Sequence, residues 1–153
     1  MRLVLDVENS VTWRDGKIFN DPFEPTNTLT QVGMVNADNH EELHIVNLDH
    51  NEAKDTSGAG RALIQSVLDM TTLLIMHNAR HDLMWIWESG FTYDGPIYDT
   101  MLAEYLLARG QKIPVGLEAC AERRELDFQK DDTLKRYFKE GYNTNEIPLN
   151  ELS

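Results

Sequence analysis

Arg2-Leu3-Val4-Leu5-Asp6-Val7-Glu8 is an apolar run that ends on two acids. Successive side chains of a strand point to opposite faces, so a strand here sets Asp6 and Glu8 on the same face, near its C-terminal end. Two like charges side by side at the end of a hydrophobic strand repel, and a cation between them would remove that cost. A strand end that simply reaches solvent accommodates the same pair, and Asp-x-Glu alone is a loose motif. A charge inside the only apolar run of the N-terminus reads as a strand and not as a signal peptide.

Working outward, Asp15-Gly16 and Asn20-Asp21-Pro22 carry turn chemistry. Residues 28–37 and 42–48 read as two further strands, with Asp38-Asn39-His40 as the hairpin turn between them. Ser57-Gly58 opens a helix with the stripe Ala62, Leu63, Ser66, Val67 and Met70. Residues 72–77 form a short buried strand, and residues 79–89 a helix stopped by Gly90. Further helices are expected over 99–109, 116–126 and 131–140, and another begins at 147. The expected fold class is α/β: a mixed sheet with a three-strand antiparallel start, extended by parallel strands and flanked by helices. The 153 residues are read as one domain, 1–153.

Hydrophobic residues make up 41% of the chain, enough for a core, and no stretch approaches the ~18 apolar residues of a membrane span. Cys120 is the only cysteine, so no internal disulfide forms, and a reducing, cytoplasmic setting is expected. The net charge of −12 argues against a bare nucleic-acid binder, whose affinity comes from neutralising phosphates. Divalent cations held at clustered carboxylates would reverse the sign locally, and a larger assembly would be a second source of positive charge.

His77-Asn78-Ala79-Arg80-His81-Asp82 is the second informative stretch. Asn78, between strand and helix, suits an N-cap, and Asp82 one turn on suits the helix dipole. If the strand before Asn78 runs parallel to and beside the first, Asp6, Glu8 and Asp82 meet at one edge of the sheet. Three carboxylates there make an oxygen-rich site suited to Mg2+ or Mn2+.

These stretches carry a resemblance. Leu5-Asp6-Val7-Glu8 resembles the first motif of the DEDD exonuclease superfamily, and residues 77–82 resemble its second. Tyr98-Asp99-Thr100-Met101-Leu102-Ala103-Glu104-Tyr105-Leu106-Leu107 and Gly116-Leu117-Glu118-Ala119-Cys120-Ala121 resemble later segments of ribonuclease D and of the 3′→5′ exonuclease domain of family A DNA polymerases, phage-type ones above all. The resemblance implies a ribonuclease H-like fold and a two-metal mechanism, with Mg2+ or Mn2+ as cofactor. It implies that Asp6 binds both ions, that Glu8 binds one and contacts the 3′-hydroxyl, and that Asp82 is the second-motif ligand. Asn78 would touch the strand or orient Asp82. Val11, Thr12 and Trp13 fall where the family wedges a side chain against terminal bases. The implied substrate is the 3′ end of single-stranded DNA. The implied partner is a polymerase domain, in the same chain or as a separate subunit, in a bacterium or a phage-infected cell.

The third motif, Tyr-x-x-x-Asp on a late helix, is the departure. Tyr137 is followed four residues on by Gly141, and Tyr142 by Glu146 in a segment of poor helix formers. The expectation is that this motif lies beyond Ser153, which leaves the last helix incomplete, or else that Asp131, Asp132 or Glu146 fills the fourth position. Two competing readings stand beside DNA proofreading. One is ribonuclease D-like trimming of RNA, and the other a catalytically incomplete domain that binds nucleic acid or a polymerase. Met70, Met76, Met84, Trp85 and Trp87 are expected in the core, and Asp99 as an N-cap. Arg123, Arg124, Lys135, Arg136 and Lys139 form the basic cluster.

Overall fold

The computed structural model describes residues 1–127 and 132–152. The chain runs β1 (Arg2–Asn9), a short hairpin of β2 (Thr12–Arg14) and β3 (Lys17–Phe19), then β4 (Leu29–Asn36) and β5 (Asn39–Asn47). A second short hairpin, β6 (Asp49–His50) with β7 (Ala53–Lys54), leads into α1 (Ala59–Asp69), β8 (Leu73–Met76) and α2 (Ala79–Glu88). β9 (Ile97–Asp99), α3 (Thr100–Leu107), α4 (Leu117–Arg123), α5 (Thr133–Lys139), a 3-10 turn (Thr144–Glu146) and α6 (Leu149–Leu152) follow. The start of the helix expected from 131 lies outside the described residues.

The main sheet has the order β5-β4-β1-β8-β9. β1 pairs antiparallel with β4 and parallel with β8, and β8 pairs parallel with β9. This is the expected mixed sheet, with α1 as the crossover that brings β8 alongside β1. β1 is central because its Leu3, Leu5 and Val7 are buried in a core shared with Ile64 and Leu68 of α1 and Leu83 and Ile86 of α2. Removing that apolar surface from water is the main stabilising term. Gly60 is required where α1 crosses the sheet, since a Cβ there would meet Val46 Cγ1 at 2.9 Å.

Three expectations are corrected. Asp38 turns the β4–β5 hairpin, but pairing already resumes at Asn39, opposite Asn36, so Asn39 and His40 are strand residues. β9 was not foreseen: Ile97–Asp99 is too short to show a pattern and forms because β8 offers it a free edge. Of the five residues assigned to the core, Met76 and Trp85 are buried, while Met70 and Trp87 are exposed at the ends of α1 and α2.

Candidate active site

Along β1 the alternation holds to its end: Val4, Asp6 and Glu8 share the face opposite the core residues. The register against β4 shifts between Glu8 and Asn9, and such an irregularity re-aims the chain where pairing stops. Asn9 then turns inward and donates to Asn20 Oδ1 at 2.6 Å and to Ser10 O at 2.9 Å. These bonds fix the loop that leads to Trp13.

β8 runs parallel to β1, and the chain leaves it through His77 and Asn78 into α2. Asp82 sits in the first turn of α2 and is only 4% exposed. Its Oδ2 has no hydrogen-bond partner. Burial pushes the Asp82 carboxyl up to about 8, and the charges of Asp6, Glu8 and Asp99 push in the same direction. Burial and then Asp6 raise Glu8 to about 7. Asp6 opens to solvent on one side, yet the protein packed around its carboxyl raises it by desolvation; the Val7 amide and the imidazoles of His81 and His77 offset part of this. The three acids therefore feel one another as charges, and each is costly to ionise. Among the described residues, no three His, Cys, Asp or Glu side chains are already drawn together closely enough to hold an ion. The donor set still fits a divalent cation in its chemistry. It consists of hard oxygens, one of them orphaned in the interior, whose charge only a cation or protons would neutralise.

Asn78 does not act as the expected cap. It takes the left-handed conformation, at φ 68° and ψ 54°, and its side chain makes no cap hydrogen bond. Asparagine tolerates that conformation better than most residues. Asp99 performs the capping instead. Its carboxylate accepts the N–H groups of Asn78 at 3.0 Å and Ala79 at 2.9 Å, at the start of α2. It also accepts those of Met101 at 2.9 Å and Leu102 at 3.3 Å, at the start of α3. Burial raises the Asp99 carboxyl, but these amides outweigh it and hold the group below its ordinary value.

Glu8 lies on the rim of a groove of about 1010 Å³. Val11, Thr12 and Trp13 line one wall, and Phe138, Tyr142, Asn143 and Glu146 the other. Asp6 and Asp82 are not part of this lining; His81, one residue before Asp82, is. Trp13 is 68% exposed, opposite Ile18 in the β2–β3 hairpin. The Thr12 hydroxyl is taken up by Thr26 and Asn27, each at 2.7 Å, so Thr12 supports the hairpin.

Asn143 was not foreseen. Its Oδ1 accepts the Val11 N–H at 3.0 Å and its Nδ2 donates to Val11 O at 2.6 Å, joining the walls. The segment behind it is anchored by His50, which is fully buried. His50 Nδ1 accepts the Glu52 N–H at 3.1 Å, so Nε2 carries the proton and donates to Ile147 O at 2.7 Å. The one local signal for Asn143 is Asn-x-x-Glu spacing: Asn143 and Glu146 form a capping box around the 3-10 turn.

The remaining candidates are occupied elsewhere. Arg123 and Arg124 pair with Glu104, and Lys135 with Asp132, all on the surface. His77 Nδ1 is bonded to Thr100 Oγ1 at 2.9 Å, while its Nε2 is buried without a hydrogen-bond partner. Asp131 lies outside the described residues. Of Asp132 and Glu146, only Glu146 lines the groove, and its carboxylate accepts the Asn143 N–H at 2.7 Å.

The sequence profile of a 3′-5′ exonuclease family matches residues 23–147. That span includes Asn78, Asp82, Asp99 and Asn143 and does not include Asp6 and Glu8. No curated protein matches the chain. Among solved structures, Brucella melitensis NrnC superposes with a TM-score of 0.56 at 18% identity, over 85% of this chain and 55% of that one. NrnC with bound Mg2+ gives 0.56 and 18%, over 86% and 57%. NrnC bound to pGG gives 0.57 and 19%, over 85% and 55%. The likeness is one of fold, and the chain spans little more than half the length of these solved chains.

Proposed function

The chain belongs to the 3′-5′ exonuclease family, and from that premise we propose that it removes nucleotides from the 3′ end of a single strand, with Asp6, Glu8 and Asp82 holding Mg2+ or Mn2+. The observation that carries this reading is the buried, unpartnered oxygen of Asp82 beside two further raised acids. Buried carboxylates that push one another up cost the fold stability unless a cation or protons neutralise them. A bound divalent ion supplies Lewis acidity and a more acidic water, the chemistry that phosphodiester hydrolysis needs. Glu8 contributes its carboxylate at the rim of the groove, where the terminal 3′-hydroxyl would be received. Asn78, with its side chain released from capping, is available to the strand. Trp13 offers an exposed ring for a terminal base, a sequence-tolerant contact that suits an exonuclease.

DNA is the leading substrate, as in proofreading beside a polymerase domain. The second reading is trimming of short RNA, favoured by the likeness in fold to NrnC solved with pGG. Residues 1–153 would act as one domain, with Glu146 as the described candidate for a fourth carboxylate. The test is incubation of the chain with Mg2+ or Mn2+ and 5′-labelled single strands of DNA and RNA. Stepwise shortening from the 3′ end, blocked by a 3′-phosphate and abolished by Asp82→Asn, is expected. Cutting of a circular strand, or activity unchanged in Asp82→Asn, would overturn the assignment.

A further inference from the structure

We infer that His77 is a further positioning residue of this site: its Nε2 accepts a hydrogen bond from a water held beside Asp6 when a divalent cation is bound. The inference rests on the reading of Asp6, Glu8 and Asp82 as the cation site. The parallel pairing of β1 with β8 runs as far as Val4 opposite Ile75. Residues directly opposite share a face, and two residues further along the same register come Asp6 and His77. His77 thus leaves β8 on the side of the sheet that carries Asp6, and its imidazole acts on the Asp6 carboxyl as a charge. The tautomer of the ring is fixed from behind. Thr100 Oγ1 donates its proton to Met76 O at 3.2 Å, so in its 2.9 Å contact with His77 Nδ1 it accepts. Nδ1 therefore carries the ring hydrogen, and in the neutral ring Nε2 presents a bare lone pair. Like Asp82 Oδ2, this nitrogen is buried without a hydrogen-bond partner. Buried acceptors left orphaned at one site call for donors. The acids are not drawn together closely enough to replace the hydration shell of an ion. Mg2+ gives up its waters reluctantly and is commonly held by one or two carboxylates, with groups further out receiving the retained waters. A neutral nitrogen suits that role, because it accepts without adding a charge.

The test reads the ring directly, by long-range 1H–15N correlation on the 15N-labelled chain, with the His77 signals identified by their loss in His77→Asn. Without metal, His77 should show the Nδ1–H tautomer, the reverse of His50. Saturating Mg2+ should move its Nε2 resonance toward that of a hydrogen-bonded nitrogen and leave Nδ1 in place. His77→Asn keeps a donor for Thr100 and has nothing at the Nε2 position. Its Mg2+ affinity, measured by calorimetry, should fall about 10-fold, as when a group around the ligands is lost. His77→Gln, whose amide reaches the Nε2 position, should recover part of it. An Nε2–H tautomer, or an Nε2 resonance indifferent to Mg2+, would overturn the inference even if no variant folds. Unchanged Mg2+ affinity in a folded His77→Asn variant would overturn it as well. A chain that shows the expected Nε2 shift yet shortens no strand would keep His77 in the cation site and defeat the exonuclease reading. A chain that shortens strands with Nε2 unmoved would do the opposite.

Discussion

Asp99 accepts the backbone N–H of Asn78 at 3.0 Å across 21 residues of sequence, through the same oxygen that caps α3. One carboxylate thus fixes the starts of two helices, and α2 carries Asp82. Asp99→Ala should cost about 2 kcal/mol, the sum of two lost caps, and lower Mg2+ affinity by loosening the turn that presents Asp82. Asp99→Asn should recover part of both, since one oxygen remains as acceptor. Urea unfolding and calorimetric Mg2+ titration check this, and an Asp99→Ala variant as stable as the unaltered chain would contradict it.

Stability without metal should depend on pH in an unusual direction. Glu8 is raised from 4.5 to about 7 and Asp82 from 3.8 to about 8. A carboxyl raised on folding favours the folded state fully below its unfolded value, and the benefit fades as pH rises through the folded value. Carboxylates held low, such as Asp99 and Asp55, lose stability in the opposite direction, as pH falls through their depressed values. The informative quantity is therefore the difference between the unaltered chain and Asp82→Asn. That difference should grow in favour of Asp82→Asn from pH 5 to pH 8, by on the order of 2 kcal/mol. A flat difference in melting temperature over that range would contradict the burial argument.

Metal should reverse this balance. In saturating Mg2+ or Mn2+ the unaltered chain should gain several degrees in melting temperature, because the ion binds the folded state alone. Asp6→Ala should be as stable as the unaltered chain without metal, or more so, and should show no metal-induced rise. If Asp6→Ala instead loses several kcal/mol in the absence of metal, Asp6 is a structural residue.

The part of this site on one strand was legible, because period-two alternation alone puts Asp6 and Glu8 on one face. The spacing of Asn78 and Asp82 put Asn78 just before α2 and Asp82 in its first turn, yet the capping role went to Asp99, whose carboxylate comes from a distant strand. Helix stripes located α1 and α2 well. They misplaced Met70 and Trp87, which close the ends of the helices where the core stops. The far wall of the groove was not legible: the partners of Asn143 and His50 are 132 and 97 residues away, and no local pattern encodes them.

Loss of the His50 anchor should damage the groove more than the sheet. His50→Ala leaves the Glu52 N–H and the Ile147 carbonyl unpaired around a cavity, a cost of about 3 kcal/mol. Strand binding should weaken even where the variant is still folded, as read by circular dichroism and fluorescence anisotropy on one preparation. Full binding in a folded His50→Ala variant would show that segment 143–147 is held by other means.

The bond between Val11 and Asn143 closes nearly the whole chain into a loop. Long closures are entropically expensive and, in folding, tend to wait until shorter-range structure has formed. The β1–β4 pairing, the β4–β5 hairpin and the α1 crossover close much shorter loops. The cleft should accordingly assemble last and come apart first, through openings that leave the sheet intact. In native-state hydrogen exchange, the amides of Val11 and of Asn51, which donates to Asn145 O at 3.0 Å, should open at lower free energy than those of Leu5 and Leu74. The protein would then be able to admit a strand sideways, without having to thread its end through a rigid passage.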